Sequence, residues 1–99
     1  MIRGTTPLHV FTLPFSTDLI KNLRVIYSQN DEPILKKELD DCKLNGNTVE
    51  VKLSQVDTFT FNSDYPVEIQ VRVLTKTGDA LASLPQRVGL DRCLENEVL

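Results

Sequence analysis

One histidine is the side chain of this chain best suited to acid–base chemistry. His9 is the only imidazole, and imidazole is the group whose ordinary pKa lies near neutral pH. It falls on the first predicted strand, on the face opposite Leu8 and Val10, and no neighbouring residue in the sequence is placed to orient it. We therefore expect His9 to be a strand-surface residue. The chain also has no Gly-x-Ser-x-Gly motif and no glycine-rich phosphate loop.

Two acidic clusters, residues 30–32 and 40–41, offer oxygen atoms of the kind that calcium binds. Neither cluster has the alternating Asp-x-Asp spacing of a calcium loop, so we interpret both as solvated turns. Cys42 and Cys93 are too few and too far apart to make a zinc site, and we expect two free thiols, with Cys42 inert on an apolar face. The sequence thus predicts no catalytic residue, no cofactor and no metal ligand, and a protein that is not an enzyme.

Length and charge limit the class of protein. The 99 residues predict a single domain over 1–99, with residues 95–99 frayed at its end. A formal charge of −3 without a basic block argues against a nucleic-acid partner. No apolar stretch is long enough to span a bilayer, and the first residues lack the pattern of a secretion signal, so we expect no membrane association.

The elements that would position any site are predicted by two alternating runs, residues 48–53 and 67–73. Apolar residues occupy every second position and polar residues fill the gaps. A period of two is typical of a strand with one buried face and one solvated face. The residues predicted to line one core are Val49, Val51, Leu53, Val67, Ile69, Val71 and Val73. Those in the gaps, interpreted as an ordinary solvated face, are Glu50, Lys52, Glu68, Gln70 and Arg72.

Turn residues divide the rest of the chain. Residues 28–33 have turn chemistry, and Asn45-Gly46 predicts a type I′ hairpin with Leu44 opposite Asn47 and Cys42 near Val49. Ser54 has the spacing of a helix cap with Asp57, followed by a short extended piece over 58–61.

Further strands are predicted at 8–13, around 23–27 and at 34–39, and Pro85 interrupts the last strand and places it at an edge or a bulge. Seven short strands predict an all-β fold. We expect a two-sheet antiparallel sandwich, immunoglobulin-like or fibronectin-like, with a small β-barrel as the alternative.

The chain resembles a family of small proteins encoded in phages and prophages of Gram-positive bacteria. The resemblance covers essentially the whole chain and is carried by residues 1–15, 25–29, 53–55, 70–73, 78–83 and 92–99. It implies a structural or accessory protein of the tail or baseplate region, and it offers no catalytic residues to carry over. The implied location is the host cytoplasm during assembly, or the virion.

Two functions remain open at this point. The first is a non-enzymatic phage protein acting by protein–protein contact in virion assembly, with other phage structural proteins or a second copy as partner. Its contact surface would be a strand edge, either the final strand or residues 8–13, or the exposed apolar residues near Leu74, Leu81 and Leu84.

The alternative is a carbohydrate- or ligand-binding sandwich. Sugars bind to exposed aromatic rings, and Phe59, Phe61 and Tyr65 fall in one loop-rich region where they would form a small platform.

Overall fold

Eight strands arranged in two antiparallel sheets form the computed structural model, which describes residues 1–99. The strands are β1 (Leu8–Thr12), β2 (Ile20–Gln29), β3 (Glu32–Glu38), β4 (Cys42–Asn45), β5 (Thr48–Lys52), β6 (Val67–Thr75), β7 (Ala80–Ala82) and β8 (Gln86–Val88). The helical elements are short: two 3₁₀ turns, Thr17–Leu19 and Leu39–Asp41, and one α-helix, α1 (Gln55–Phe59). The prediction of an all-β sandwich is confirmed.

The two sheets differ in width. The first has three strands in the order β1-β5-β4. The second has the order β3-β2-β6-β7, and β8 also pairs with β6. Because β7 pairs with residues 72–74 and β8 with residues 67–69 of the same strand, they share one edge of a sheet that is four strands wide. Neither sheet closes on itself, so the alternative of a small barrel is wrong.

The core lies between the sheets and is built from the alternating residues. All seven residues predicted from the two runs are buried. Strand β2 adds Leu23, Val25 and Tyr27 to the wall formed by its neighbour β6, opposite β5, and Phe61 reaches in from the loop after α1. Burial of this apolar surface is the main favourable term in folding.

Two tight hairpins set the strand registers. Asn30 and Asp31 have φ of 51° and 64° and form the two-residue loop between β2 and β3, which confirms the turn predicted at 28–33. The second hairpin differs from its prediction, because Asn45 pairs with Thr48 and the loop is Gly46-Asn47. Gly46 alone has positive φ (60°), the pattern of a type II′ turn rather than type I′.

This change of register moves Cys42 opposite Val51 instead of near Val49. The shift is two residues, and side chains alternate with a period of two. Cys42 therefore stays on the apolar face predicted for it.

The segment after β5 begins as predicted and then departs from the prediction. Ser54 caps α1 by accepting a hydrogen bond from the Asp57 amide, and the Asp57 carboxylate accepts one from the Ser54 amide. The extended piece predicted over 58–61 is wrong, because the helix continues through Phe59. Two reciprocal hydrogen bonds at its first turn start this helix.

The final strand is interrupted, as Pro85 predicted. It splits into β7 and β8, so that the structure has eight strands rather than seven. Between them Ser83 keeps contact with β6, since its amide donates to the Val71 carbonyl at 2.9 Å and its hydroxyl accepts from the Val71 amide at 3.0 Å. A proline is compatible with this position because an edge strand has one side without ladder partners.

Gly46 offers a direct test of the hairpin. We expect Gly46→Val to lower the free energy of unfolding by about 1–2 kcal/mol, because a β-branched residue is strained at positive φ. A Cβ at this position meets no atom within 4 Å, so backbone strain is the only cost. Gly89→Val is the matched control, since that site is equally open and has ordinary φ. Equal urea denaturation midpoints for the two variants would contradict the turn assignment.

Candidate functional site

His9 does not lie on the surface of its strand, and that prediction is wrong. Its ring points between the sheets, where Nδ1 is 2.8 Å from the hydroxyl of the fully buried Tyr27. Burial, with a smaller contribution from the N-terminal ammonium, lowers the pKa of His9, and burial raises the pKa of Tyr27. The pair is therefore a neutral hydrogen bond that satisfies a buried phenol.

Cys42 and Cys93 are both free thiols. The Cys42 thiol is partly buried beside β5 and donates to the Glu38 carbonyl at 3.3 Å. Burial, and then the charge of Asp41, raises the pKa of Cys42 to about 11. Since the thiolate is the reactive form, this cysteine behaves as a small apolar residue, as predicted.

The acidic clusters are used in turns, as predicted. Asp31 forms part of the β2–β3 loop, and the Asp41 carboxylate accepts a hydrogen bond from the Glu38 amide at 3.0 Å. No group of three or more metal-ligating side chains comes together in the chain.

Asp57 forms an ion pair that joins two elements of the fold. Asp57 lies 2.9 Å from the Lys37 ammonium, which ties α1 to β3. Burial alone would raise the pKa of Asp57, but hydrogen bonds from Ser54 and Lys37 outweigh it and lower the pKa. This carboxylate is a cap and an ion-pair partner.

The aromatic platform predicted from Phe59, Phe61 and Tyr65 does not form. Phe61 is buried in the core against Tyr27, with ring centroids 6.0 Å apart. Phe59 is partly covered by the Arg3 guanidinium, whose carbon is 5.4 Å from the ring centroid. Tyr65 is the only one of the three with an exposed ring.

The exposed leucines predicted as a contact patch do not form one surface. Leu74 lines a depression on the outer face of the wider sheet, together with Arg24 and Arg72. Leu81 lines a groove on the inner side, with Val71 and Val73. Leu84 protrudes between β7 and β8 and is almost fully exposed.

Strand β1 has the surface best formed for contact. Its alternation is inverted, since Leu8 and Val10 are 56% and 53% exposed while His9 and Phe11 turn inward. Single exposed apolar residues are common, but these two lie side by side on one face of an edge strand. The sequence predicted residues 8–13 as a candidate edge, and the structure places β1 at the edge of its sheet.

The same strand has free backbone groups. The Leu53 amide donates a hydrogen bond to the Pro7 carbonyl, and the Leu13 amide donates one to the Asn47 carbonyl. Because hydrogen-bonded pairs alternate along an antiparallel ladder, the odd-numbered residues of β1 are the ones that exchange hydrogen bonds with β5. The amides and carbonyls of Leu8, Val10 and Thr12 consequently point away from the sheet. Three residues thus offer six groups to a further strand.

Two grooves lie along this open side, between β1 and the β7–β8 edge of the wider sheet. One, of about 320 Å³, runs between Leu13 and Phe15 on one side and Val73 and Leu81 on the other. The second, of about 290 Å³, lies between Val10 and the β6 residues Ile69 and Val71. The narrower sheet therefore ends before the wider one does, and the seam between them reaches the core.

The other edges carry features that hinder strand pairing. Strand β3 contains Pro33 and two lysines, and β4 is four residues long and contains Lys43. Strands β7 and β8 have three residues each and are separated by Pro85. Lysine and proline are usual protections of an edge, and the five residues of β1 include neither.

Comparisons with protein-family models, with curated proteins and with solved structures found no match to this chain. None of the helices has the length and apolarity of a membrane-spanning segment.

Proposed function

We propose that this domain is a non-enzymatic phage structural or accessory protein that acts by protein–protein contact during virion assembly in the tail or baseplate region. The observation that carries the contact function is the unprotected edge of β1 with the seam beside it. The phage assignment rests on the family resemblance of the sequence. Under this proposal the protein acts in the host cytoplasm during assembly or in the virion.

The occupant of the β1 edge is an extended segment of another phage structural protein. It adds to the three-stranded sheet as a fourth strand, hydrogen-bonded to Leu8, Val10 and Thr12. Its inward side chains enter the two grooves between β1 and the wider sheet. The volume of each groove suits one or two apolar side chains. The added strand would give both sheets the same width.

A second copy fits this place less well. The β7–β8 edge of the wider sheet extends past β1. If β1 paired with β1 of another copy, these extended edges of the two copies would therefore overlap. A single strand avoids that overlap. The seam therefore favours a peptide segment over the edge of a complete domain.

The strand order supports a more specific proposal, that the sandwich is immunoglobulin-like and that no strand of the described residues lies beside the outer edge of β1. The orders β1-β5-β4 and β3-β2-β6-β7 correspond to B-E-D and C′-C-F-G of such domains. In those domains strand A lies beside B, which is the outer edge of β1 here. The partner segment would take the place of strand A.

The ligand-binding alternative receives no comparable support. Its candidate platform is divided between the core and the surface, with Phe61 buried.

Variants of Val10 test the proposal. Val10→Lys places a charge on the outward face of β1, and Val10→Pro removes the outward amide without removing a bond to β5. Val56→Lys is the matched control, because Val56 is 63% exposed and lies on α1. We expect both Val10 variants to reduce recovery of the partner at least tenfold from cells in which the phage is induced, and Val56→Lys to leave it unchanged.

The partner must be identified by mass spectrometry as a late structural protein and must crosslink to a photoreactive residue at Thr12. Equal recovery with every variant would contradict the proposal. A wild-type dimer that Val10→Lys converts to a monomer in light scattering would replace the partner segment by a second copy and contradict the assigned occupant.

A further inference from the structure

Two arginines face each other on the outer side of the wider sheet. Arg24 of β2 and Arg72 of β6 are direct cross-strand partners. Both line a depression of about 290 Å³ whose other walls include Asn22, Leu74 and Ala80. The depression lies on the opposite side of the sandwich from β1's sheet, so it is separate from the surface used in the proposed function.

The charges at this depression are not balanced. Like charges directly opposite each other on a sheet are destabilising. Arg24 has one partner, since its Nε is 2.8 Å from an oxygen of Glu38 on β3. Arg72 has no ion pair, and its neighbour on the other side is Ala82 of β7. Only one of the two guanidinium groups therefore has a carboxylate partner.

The guanidinium groups have donors to spare. Arg24 uses Nε for Glu38 and keeps both terminal nitrogens free, and Arg72 has its complete set of donors. A guanidinium matches a carboxylate with two parallel hydrogen bonds. Leu74 and Ala80 add apolar surface next to these donors, which suits a peptide better than a small free anion.

We propose that Arg24 and Arg72 bind a carboxylate side chain of an acidic peptide segment in a partner protein. This carboxylate lies between the two guanidinium groups. Its negative charge balances the positive charge that remains after Glu38 has paired with Arg24. An apolar side chain next to it in the peptide rests on Leu74 and Ala80. The overall charge of −3 disfavours a polyphosphate chain as the occupant.

A matched pair of peptides tests the site. The probe is a fluorescent acetyl-Leu-Glu-Leu-Glu amide, and its control is the same peptide with both Glu replaced by Gln. We expect the acidic peptide to bind with an affinity that falls as salt is raised from 50 to 300 mM, and the Gln peptide to bind at least fivefold more weakly.

Variants of the protein complete the test. Arg72→Gln is expected to weaken the acidic peptide at least fivefold, and Arg24→Gln to weaken it as well. Arg87→Gln is the control, because Arg87 lies in the same sheet but pairs across with Glu68, and it should change affinity less than twofold. Without peptide, the Tm of Arg72→Gln should equal or exceed that of the wild type, since repulsion from Arg24 is removed.

Each other result overturns the proposal. Equal binding of the two peptides, or equal effects of Arg72→Gln and Arg87→Gln, would show that no carboxylate site is present. A lower Tm for Arg72→Gln without peptide would show that Arg72 stabilises the fold itself. Stronger competition by a short DNA oligonucleotide than by the acidic peptide would replace the carboxylate with a phosphate. The Val10 variants should bind the peptide normally, so this test is independent of the β1 edge.

Discussion

Phe61→Ala is expected to lower the free energy of unfolding by about 3–5 kcal/mol, which is the usual cost of truncating a buried aromatic ring. Phe61 is 1% exposed and contacts Tyr27 at 6.0 Å between ring centroids. A domain of this size is stable by roughly 5–15 kcal/mol, so the loss removes a large part of the total. Urea denaturation followed by circular dichroism measures it.

Tyr65→Ala is the control for that variant. Tyr65 lies four residues later and is 44% exposed, so its truncation should cost less than about 1 kcal/mol. The two aromatic residues looked alike in the sequence, and the experiment separates a core residue from a surface residue. Similar denaturation midpoints for the two variants would show that Phe61 is not part of the core.

Much of the fold could be predicted because β5 and residues 67–73 of β6 alternate without exception. In each strand the apolar residues share one face and the polar residues the other, so the buried side is determined locally. Val49 and Val71 are buried for this reason. The interruption at Pro85 was equally predictable, since proline lacks the amide that a central strand needs.

The face of β1 that turns toward the core could not be predicted in the same way. Its two faces are both partly apolar, with Leu8 and Val10 on one and Phe11 on the other. The orientation of these faces depends on Tyr27. Its buried hydroxyl needs a hydrogen-bond partner, and His9 provides one. That requirement comes from a strand eighteen residues away along the chain, and no local pattern reports it.

The hairpin register was missed for a related reason. Asn45-Gly46 and Gly46-Asn47 are both acceptable two-residue loops when only the local sequence is considered. The observed loop is held from outside, because the Leu13 amide donates to the Asn47 carbonyl at 2.8 Å and the Thr17 hydroxyl to the Gly46 carbonyl at 2.8 Å. Contacts between distant segments therefore selected the register.

Among the candidate surfaces, the β1 edge was predicted from the sequence. The features that distinguish it from the other edges were not. The likelihood of pairing depends on which amides face outward and on what the neighbouring sheet leaves uncovered. Both follow from the register of β1 against β5 and from the unequal widths of the sheets. The arginine pair was likewise hidden, because Arg24 and Arg72 become neighbours only through the β2–β6 register.

Gln29 is the second position where a large effect is expected, and no motif in the sequence distinguishes it from other glutamines. It ends β2, is 5% exposed, and forms three hydrogen bonds with the loop between α1 and β6. Its Nε2 donates to the carbonyls of Asn62 and Tyr65 at 2.7 and 3.0 Å, and its Oε1 accepts from the Asn62 amide at 2.8 Å. One side chain thus satisfies three backbone groups of a segment without ladder partners.

Gln29→Leu keeps the volume of the side chain and removes these bonds. We expect it to lower the free energy of unfolding by about 2–4 kcal/mol, because three hydrogen bonds are lost together and the Asn62 amide and the Tyr65 carbonyl lose their partners. Gln70→Leu is the matched control, since Gln70 forms a single exposed bond to the Ser83 carbonyl at 2.9 Å and should cost less than about 1 kcal/mol.

Hydrogen exchange distinguishes this role of Gln29 from a general loss of packing. The Asn62 amide should exchange much faster in Gln29→Leu, while the amides of β5 keep protection that falls only with the global stability. Because the loop leads directly into β6, its release would free the start of the strand that pairs with β2, β7 and β8. Unchanged exchange at Asn62 would contradict the assignment of Gln29 as the residue that holds this loop.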